Sequence, residues 1–299
     1  MSYCKICLHL TIKFFYQIKN FEYFLCQNCQ TLFLFPSPTE KKINNYYQKK
    51  FQYEAGLIEE KRIRQRAKII LKNLIKFNPN GKTLLDVGSG FGYFLEEAKK
   101  NNFKILGLEP SKELFLMNRF IKNIKNITFE DYFKKNNKKK FDFITLIHII
   151  EHLPNPKETI DKVIRLLKPN GIIYIETPNL NSHLFWIEKE NYTFLTPPDH
   201  LWIFSKKSLE TMLRDISLIE IVKTSTYTHP EHLMGIIKRK FQINTKTPAS
   251  PAGRQNPNKQ NISKKLKYSL FDKTLSPFFT PLLNLGGYGS ILELYIRKK

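Results

Sequence analysis

Between residues 82 and 177 two kinds of segment alternate, and that alternation leaves few folds open. "KTLLDVG", "FKILGLE", "NITFE", "FDFITLI" and "GIIYIET" are short and almost wholly apolar, so each predicts a strand. "FGYFLEEAKKN", "SKELFLMNRFI" and "NPKETIDKVIRLL" mix charged and apolar residues and predict helices, with Ser111 placed to cap the second. Strands without a polar face must be covered on both sides. In a strand–helix series that means a parallel sheet with helices on either face, the α/β class. Downstream, Ser205 caps a predicted helix at "KKSLETMLRD", and "SLIEIVKTST" and "GSILELYIRKK" predict two further strands.

The flanking stretches divide the chain. Residues 1–38 form a first unit closed by Pro36 and Pro38. Residues 39–80 read as a helical cover, because Leu57, Ile63, Ala67, Ile70, Leu71, Leu74 and Ile75 recur near helical spacing before Asn78 to Gly81 stop the helix. Residues 81–299 form the main domain, with a 226–288 insert between the last two strands. Within it, 245–260 is rich in Pro, Ala, Gly and Gln and predicts a flexible loop. "LFDKTLSPFFTPLLNL" then predicts a helical cover on the substrate side.

The first predicted strand runs into "LLDVGSGFG": Asp86, then Gly88, Gly90 and Gly92, then a helix. Glycines at that junction let a ligand touch backbone where a Cβ would block it. Glu109 ends the next strand and is placed to accept hydrogen bonds from both hydroxyls of a ribose. The spacing G-x-G-x-G is not the dinucleotide fingerprint, and Asp86 just ahead of the loop would repel a pyrophosphate. It suits an amino group and a sulfonium, which points to S-adenosylmethionine rather than a nicotinamide cofactor.

With "ILGLEPS", "FDFITLIHIIEHLPNP", "LLKPNGIIYIETPN" and "HLWIFS" following in order, the chain resembles the class I S-adenosylmethionine-dependent methyltransferases, most of all the branch acting on sugars, surface polysaccharides and quinones. The resemblance spans about residues 40 to 225 and the last strand. It implies a Rossmann-like, doubly wound sheet of seven strands whose last strand is antiparallel. It also implies that Gly88, Ser89, Gly90 and Gly92 line the cofactor, that Asp86 orients its amino group and that Glu109 holds the ribose. Asp131, with Glu130 as its one-residue alternative, would reach the adenine, and His148 would face the cofactor. Ser89 stands where the family often has Cys or Thr.

Cys4, Cys7, Cys26 and Cys29 are the only cysteines and form C-x2-C-x18-C-x2-C. Two such pairs complete a tetrahedral thiolate shell, so the spacing predicts a structural zinc ion in a small ribbon. Similar modules occur in sugar C-methyltransferases and in some ribosomal-RNA methyltransferases.

Methyl transfer to a protonated nucleophile needs a base. His148, His152, His183 and His200 are the candidates, with Glu151 beside them. Sugar C-methyltransferases carry an acid–histidine pair resembling Asp199 and His200, although the preceding tyrosine is replaced here by Pro197 or Pro198. "HIIEH" also spells H-x-x-E-H, with His148, Glu151 and His152 in a zinc-hydrolase order. That third reading leaves the glycine loop unexplained.

The acceptor expected is a small molecule, a sugar or a surface-polysaccharide or lipid-linked precursor. The second reading is an RNA methyltransferase, motivated by a net charge of +23 and the run Lys134, Lys135, Lys138, Lys139, Lys140. Only nine of the 49 basic residues are arginine, the side chain that forks onto phosphate, and compositional drift accounts for the lysines more simply. A 41% hydrophobic content excludes a mostly disordered chain. No apolar run reaches a membrane span, and the first residues lack the features of a secretion signal, so the expectation is a cytoplasmic protein.

Overall fold

A computed structural model describes residues 3–38, 53–118, 121–228 and 282–299. The expected loop at 245–260, the apolar cover before residue 282 and the start of the predicted 39–80 helix lie outside the described residues.

Three strands open the chain: β1 (Ile12–Ile18), β2 (Phe21–Cys26) and β3 (Leu32–Leu34). Helix α1 (Tyr53–Phe77) follows. The alternating region then gives β4 (Thr83–Val87), α2 (Tyr93–Lys100), β5 (Lys104–Leu108), α3 (Lys112–Met117), β6 (Ile124–Lys125) and α4 (Phe129–Asn136). It continues through β7 (Phe141–Ile147), α5 (Pro156–Leu166) and β8 (Leu167–Pro178). The remaining elements are α6 (His183–Glu188), β9 (Trp202–Ile203), α7 (Lys206–Leu213), β10 (Ile219–Tyr227) and β11 (Ile291–Lys298).

Seven strands pair in the order β10-β11-β8-β7-β4-β5-β6. The central pairs are parallel, and β11 runs antiparallel between β8 and β10. The topology therefore matches the α/β sheet expected, last strand included. Ser111 and Ser205 cap their helices as expected, each accepting from a backbone N–H three residues on.

One strand is corrected. "NITFE" is not extended: the strand lies at Ile124–Lys125, and the Thr128 hydroxyl accepts from the Asp131 N–H to open α4. A β-branched residue that also caps well is ambiguous in sequence, and capping wins here.

Both sheet faces are covered. On one, Ala67, Ile70, Leu71 and Leu74 of α1 pack with Leu84, Phe94, Phe143, Tyr174 and Tyr295. On the other, α5 and α7 pack on the sheet, and the core runs without a break into Tyr23, Leu32, Phe33 and the cysteines. That continuity has a backbone cause. β1, β2, β3 and β9 form one four-stranded sheet, with Leu32 opposite Ile203 and Phe33 opposite Trp202. Residue 38 thus ends a stretch of chain but not a packing unit, because a strand from the main domain completes the N-terminal sheet. Among the described residues no helix is long and apolar enough to cross a membrane.

Candidate active site

The carboxyl ends of β4, β5, β7 and β8 come together on one edge, where open α/β sheets bind ligands. Gly88, Gly90 and Gly92 all have positive φ, at 73°, 53° and 74°. At Gly88 an added Cβ would strike Ile149 Cδ1 at 2.1 Å, whereas at Gly90 it would meet nothing within 4 Å. Gly88 is therefore held by packing, and Gly90 faces open space.

A cleft of about 790 Å³, counted out to its mouth, fills that space. Its floor is the glycine loop with Asp86; His148 and Glu176 close one wall, and Arg62 and Arg66 of α1 another.

Asp86 is buried, and its Oδ1 accepts from the Thr145 hydroxyl at 2.6 Å, its register partner on β7. Burial, and then the Glu109 charge, push its carboxyl up to about 7 against the Thr145 hydrogen bond. Glu109 accepts from the Gly90 N–H at 2.8 Å and the Ser111 N–H at 2.8 Å, one on each oxygen. Burial outweighs those bonds and raises it to about 7 as well. Each carboxylate oxygen keeps a second lone pair. The Ser89 hydroxyl is buried with no hydrogen-bond partner among the described residues.

The cleft fits S-adenosylmethionine on these observations. It offers a Gly90 approach without side chain, an unpartnered Ser89 hydroxyl, and the Asp86 carboxyl, which a cationic ligand would return to the charged form; Glu109 is not among the lining residues and meets the loop through the Gly90 N–H. Asp131 does not join them. It is exposed on α4, bonded to Thr128 and to Lys134 Nζ at 3.4 Å, and is not among the residues lining the cleft. Glu130 faces Lys162 and Thr159 instead.

Behind the cleft lies a buried charge network that sequence reasoning missed. Arg66 reaches Glu176 and Glu293 and stacks on the Tyr227 ring at 3.7 Å. Glu176 also takes the Tyr227 hydroxyl at 2.7 Å and His148 Nε2 at 3.3 Å. The missed signal was a glutamate in each of the apolar strands "GIIYIET" and "GSILELYIRKK". A carboxylate in a buried strand requires a cation, and α1 supplies it.

His148 directly follows β7 with φ 53°. Its Nδ1 meets Glu151 Oε1 at 3.1 Å. Burial works against its charge, but the two carboxylates prevail and hold it up at about 10. With both ring nitrogens donating, it has no lone pair to act as a base. Glu151 is fully buried, and its other oxygen accepts from the Thr177 hydroxyl at 2.9 Å.

H-x-x-E-H does not form a metal helix. Ile150–His152 make one short 3-10 turn, and His152 turns away to the Asp199 carbonyl at 2.9 Å and its carboxylate at 3.2 Å. His200 approaches from the loop before β9, its ring 4.7 Å from that of His152. One donor atom each of Glu151, His152 and His200 lies within 4.8 Å of the others. His200 Nδ1 donates to the Phe194 carbonyl at 2.7 Å, which leaves Nε2 as the unprotonated nitrogen. Burial first, then the neighbouring His152 charge, lower its pKa to about 4. Phe194 lies between the His148 and His200 rings, near-parallel to both at 6.3 and 6.0 Å. The fourth candidate, His183, is exposed on α6 against Tyr288.

The four cysteines converge at the far end of the N-terminal sheet. Cys4 Sγ lies 3.6 Å from Cys29 Sγ, and Cys7 Sγ 3.5 Å from Cys26 Sγ. These spacings exclude disulfides. A tetrahedral zinc with ~2.3 Å bonds spaces its thiolates by roughly 3.8 Å, close to what is seen. The Cys4 thiol stabilises the Cys29 thiolate by hydrogen bonding and draws its pKa down to about 5.

Sheet order, antiparallel last strand and glycine-loop cleft together define a class I S-adenosylmethionine-dependent methyltransferase fold. The chain belongs to the methyltransferase domain family, whose model matches residues 58–218. It is similar to the mitochondrial ubiquinone biosynthesis O-methyltransferase of Dictyostelium discoideum, at 30% identity over 164 residues, 48% of this chain and 51% of the relative. A ubiquinone biosynthesis O-methyltransferase of Aliivibrio fischeri is 29% identical over 174 residues, 53% of this chain and 74% of that protein. The chain spans about half the length of the first curated relatives it matches. In fold it is similar to an S-adenosylmethionine-dependent methyltransferase from Archaeoglobus fulgidus, with a TM-score of 0.51 at 20% identity over 83% of this chain and 100% of that one. It is also similar to the plantazolicin methyltransferase BpumL in complex with SAH, with a TM-score of 0.52 at 16% identity over 89% and 92% of the two chains.

Proposed function

We propose that this protein transfers a methyl group from S-adenosylmethionine to a small-molecule acceptor, a sugar or a surface-polysaccharide or lipid-linked precursor. One observation supports the reading: Asp86, Ser89 and Gly90 line a cleft at the carboxyl edge of the sheet, and His148 of the same lining stacks on Phe194, which stacks in turn on the buried His200. The similarity to quinone O-methyltransferases supports a small acceptor.

Bound S-adenosylmethionine supplies an activated methyl group and its own leaving group. Asp86 receives the cofactor's amino group, Glu109 the ribose hydroxyls, and Ser89 and Gly90 the methionine portion. His200 Nε2 takes the acceptor's proton. Its low basicity suits a carbon made acidic by a neighbouring carbonyl of a keto-sugar, or a phenol, better than a sugar's own alcohol groups. His152 is held by the Asp199 carbonyl and carboxylate, and Glu151 by His148 and the Thr177 hydroxyl. His148 serves as a fixed cation in the cleft wall. The four thiols hold one structural zinc ion.

The cofactor site has a pH signature. Asp86 and Glu109 are raised from below 5 to about 7, so both carboxyls favour their protonated forms in the free fold. Their contribution to stability is complete below their ordinary values and is lost as pH rises through 7. A cationic ligand reverses the preference. S-adenosylmethionine affinity is therefore expected to rise between pH 5 and 7, by up to about tenfold per pH unit for each carboxyl that must ionise, and to level off above. Calorimetry across that range checks it, and a flat profile would contradict it.

The acceptor class is read by label transfer. Methyl-labelled S-adenosylmethionine, incubated with this protein and fractionated cell extract, should deliver label to a nuclease-resistant small-molecule fraction. Label in RNA would establish the nucleic-acid reading instead.

A further inference from the structure

The zinc module does more than decorate the N-terminus, because it holds the peptide that carries His200. The His200 carbonyl accepts from the Tyr23 hydroxyl at 2.9 Å, across 177 residues of sequence. The other half of that peptide unit, the Leu201 N–H, donates to the Glu151 carbonyl at 2.9 Å. A single peptide is thus held on one side by the N-terminal sheet and on the other by the H-x-x-E-H turn. The next residues extend the grip. Leu34 N–H donates to the Leu201 carbonyl at 2.9 Å, and the Trp202 indole donates to Leu153 O at 2.7 Å. Beyond them β9 pairs with β3.

Tyr23 sits on β2, three residues before Cys26, and is fully buried. Burial, and then the Asp199 charge, keep its phenol protonated and so a donor. Without this bond a buried carbonyl next to His200 would lose its partner, a destabilising change at the peptide that carries the imidazole.

We infer that Tyr23 is a positioning residue, through which the four-cysteine module fixes His200 against Glu151, His152 and Asp199. The inference rests on His200 being the base of the proposed reaction. The cofactor cradle lies on the other side of this arrangement, on β4, β5 and α1, and draws nothing from Tyr23.

The test uses full-length protein carrying ¹⁵N-labelled histidine, as wild type, as Tyr23→Phe and as zinc-stripped wild type. Tyr23→Phe removes one hydroxyl and keeps the ring. It is expected to retain its zinc and to bind S-adenosylmethionine within about twofold of wild type. Its His200 ring signals should move, and their titration midpoint should rise toward the ordinary histidine value by roughly one unit as the ring gains solvent. Zinc removal should move the same signals. Unchanged His200 signals in both samples would overturn the inference. So would a loss of S-adenosylmethionine binding by Tyr23→Phe alone, which would make Tyr23 a general prop of the fold. If wild type itself binds no S-adenosylmethionine, the proposed function fails, while the His200 shift still decides the positioning claim.

Discussion

Gly90→Val will show no S-adenosylmethionine binding by calorimetry, while its circular dichroism and zinc content match wild type. Two effects combine at this residue. Gly90 has φ 53°, which costs an L-residue about 1–2 kcal/mol and more for a β-branched one. The larger effect is occupancy. No protein atom lies within 4 Å of a Cβ built there, so the isopropyl group enters the cleft without disturbing the core and takes the ligand's place. Glu109→Ala tests the same site by charge. It leaves the Gly90 and Ser111 N–H groups without their acceptor and removes the proposed ribose partner. With charged hydrogen bonds each worth about 1.5–3 kcal/mol, the affinity loss should be about 100-fold. Wild-type affinity in either variant would refute the assignment of this loop.

The second large effect concerns the cysteines. Cys4→Ser with Cys29→Ser should remove the proposed zinc ion, read by metal analysis. It should also expose tryptophan, because Trp202 packs 5.6 Å from Phe33 at the seam between the two sheets. Structural zinc contributes on the order of 10 kcal/mol in small zinc-finger peptides. Part of that would be lost here, since β9 and the shared core still hold the N-terminal sheet. A loss of about 3–5 kcal/mol lowers the melting temperature of a domain this size by roughly 10 °C. An unchanged melting curve with no metal in the wild type would show that the thiols are simply packed.

The sheet and the glycine loop were legible because their residues answer a local demand. A strand–turn–helix junction that must admit a ligand needs glycine, and a buried parallel strand needs an apolar run. The rest depended on distance. Arg66 reads as part of a solvated helix face until the fold brings Glu176 and Glu293 beneath it. Tyr23 looks like an ordinary strand aromatic until the His200 peptide arrives from 177 residues away. Asp131 illustrates the opposite failure. Its position after the third strand matched the family pattern, yet the Thr128 cap turns that segment into a helix and directs the carboxylate to solvent. His148 and His152, four residues apart in the motif, face different partners, because a 3-10 turn rather than a longer helix connects them.

The most direct measurement is calorimetric titration of the purified protein with S-adenosylmethionine at pH 7.5. One saturable site per chain, retained when zinc is present at one per chain and lost in Gly90→Val, is the predicted result. No detectable heat and no thermal shift with wild type at millimolar ligand would contradict the account.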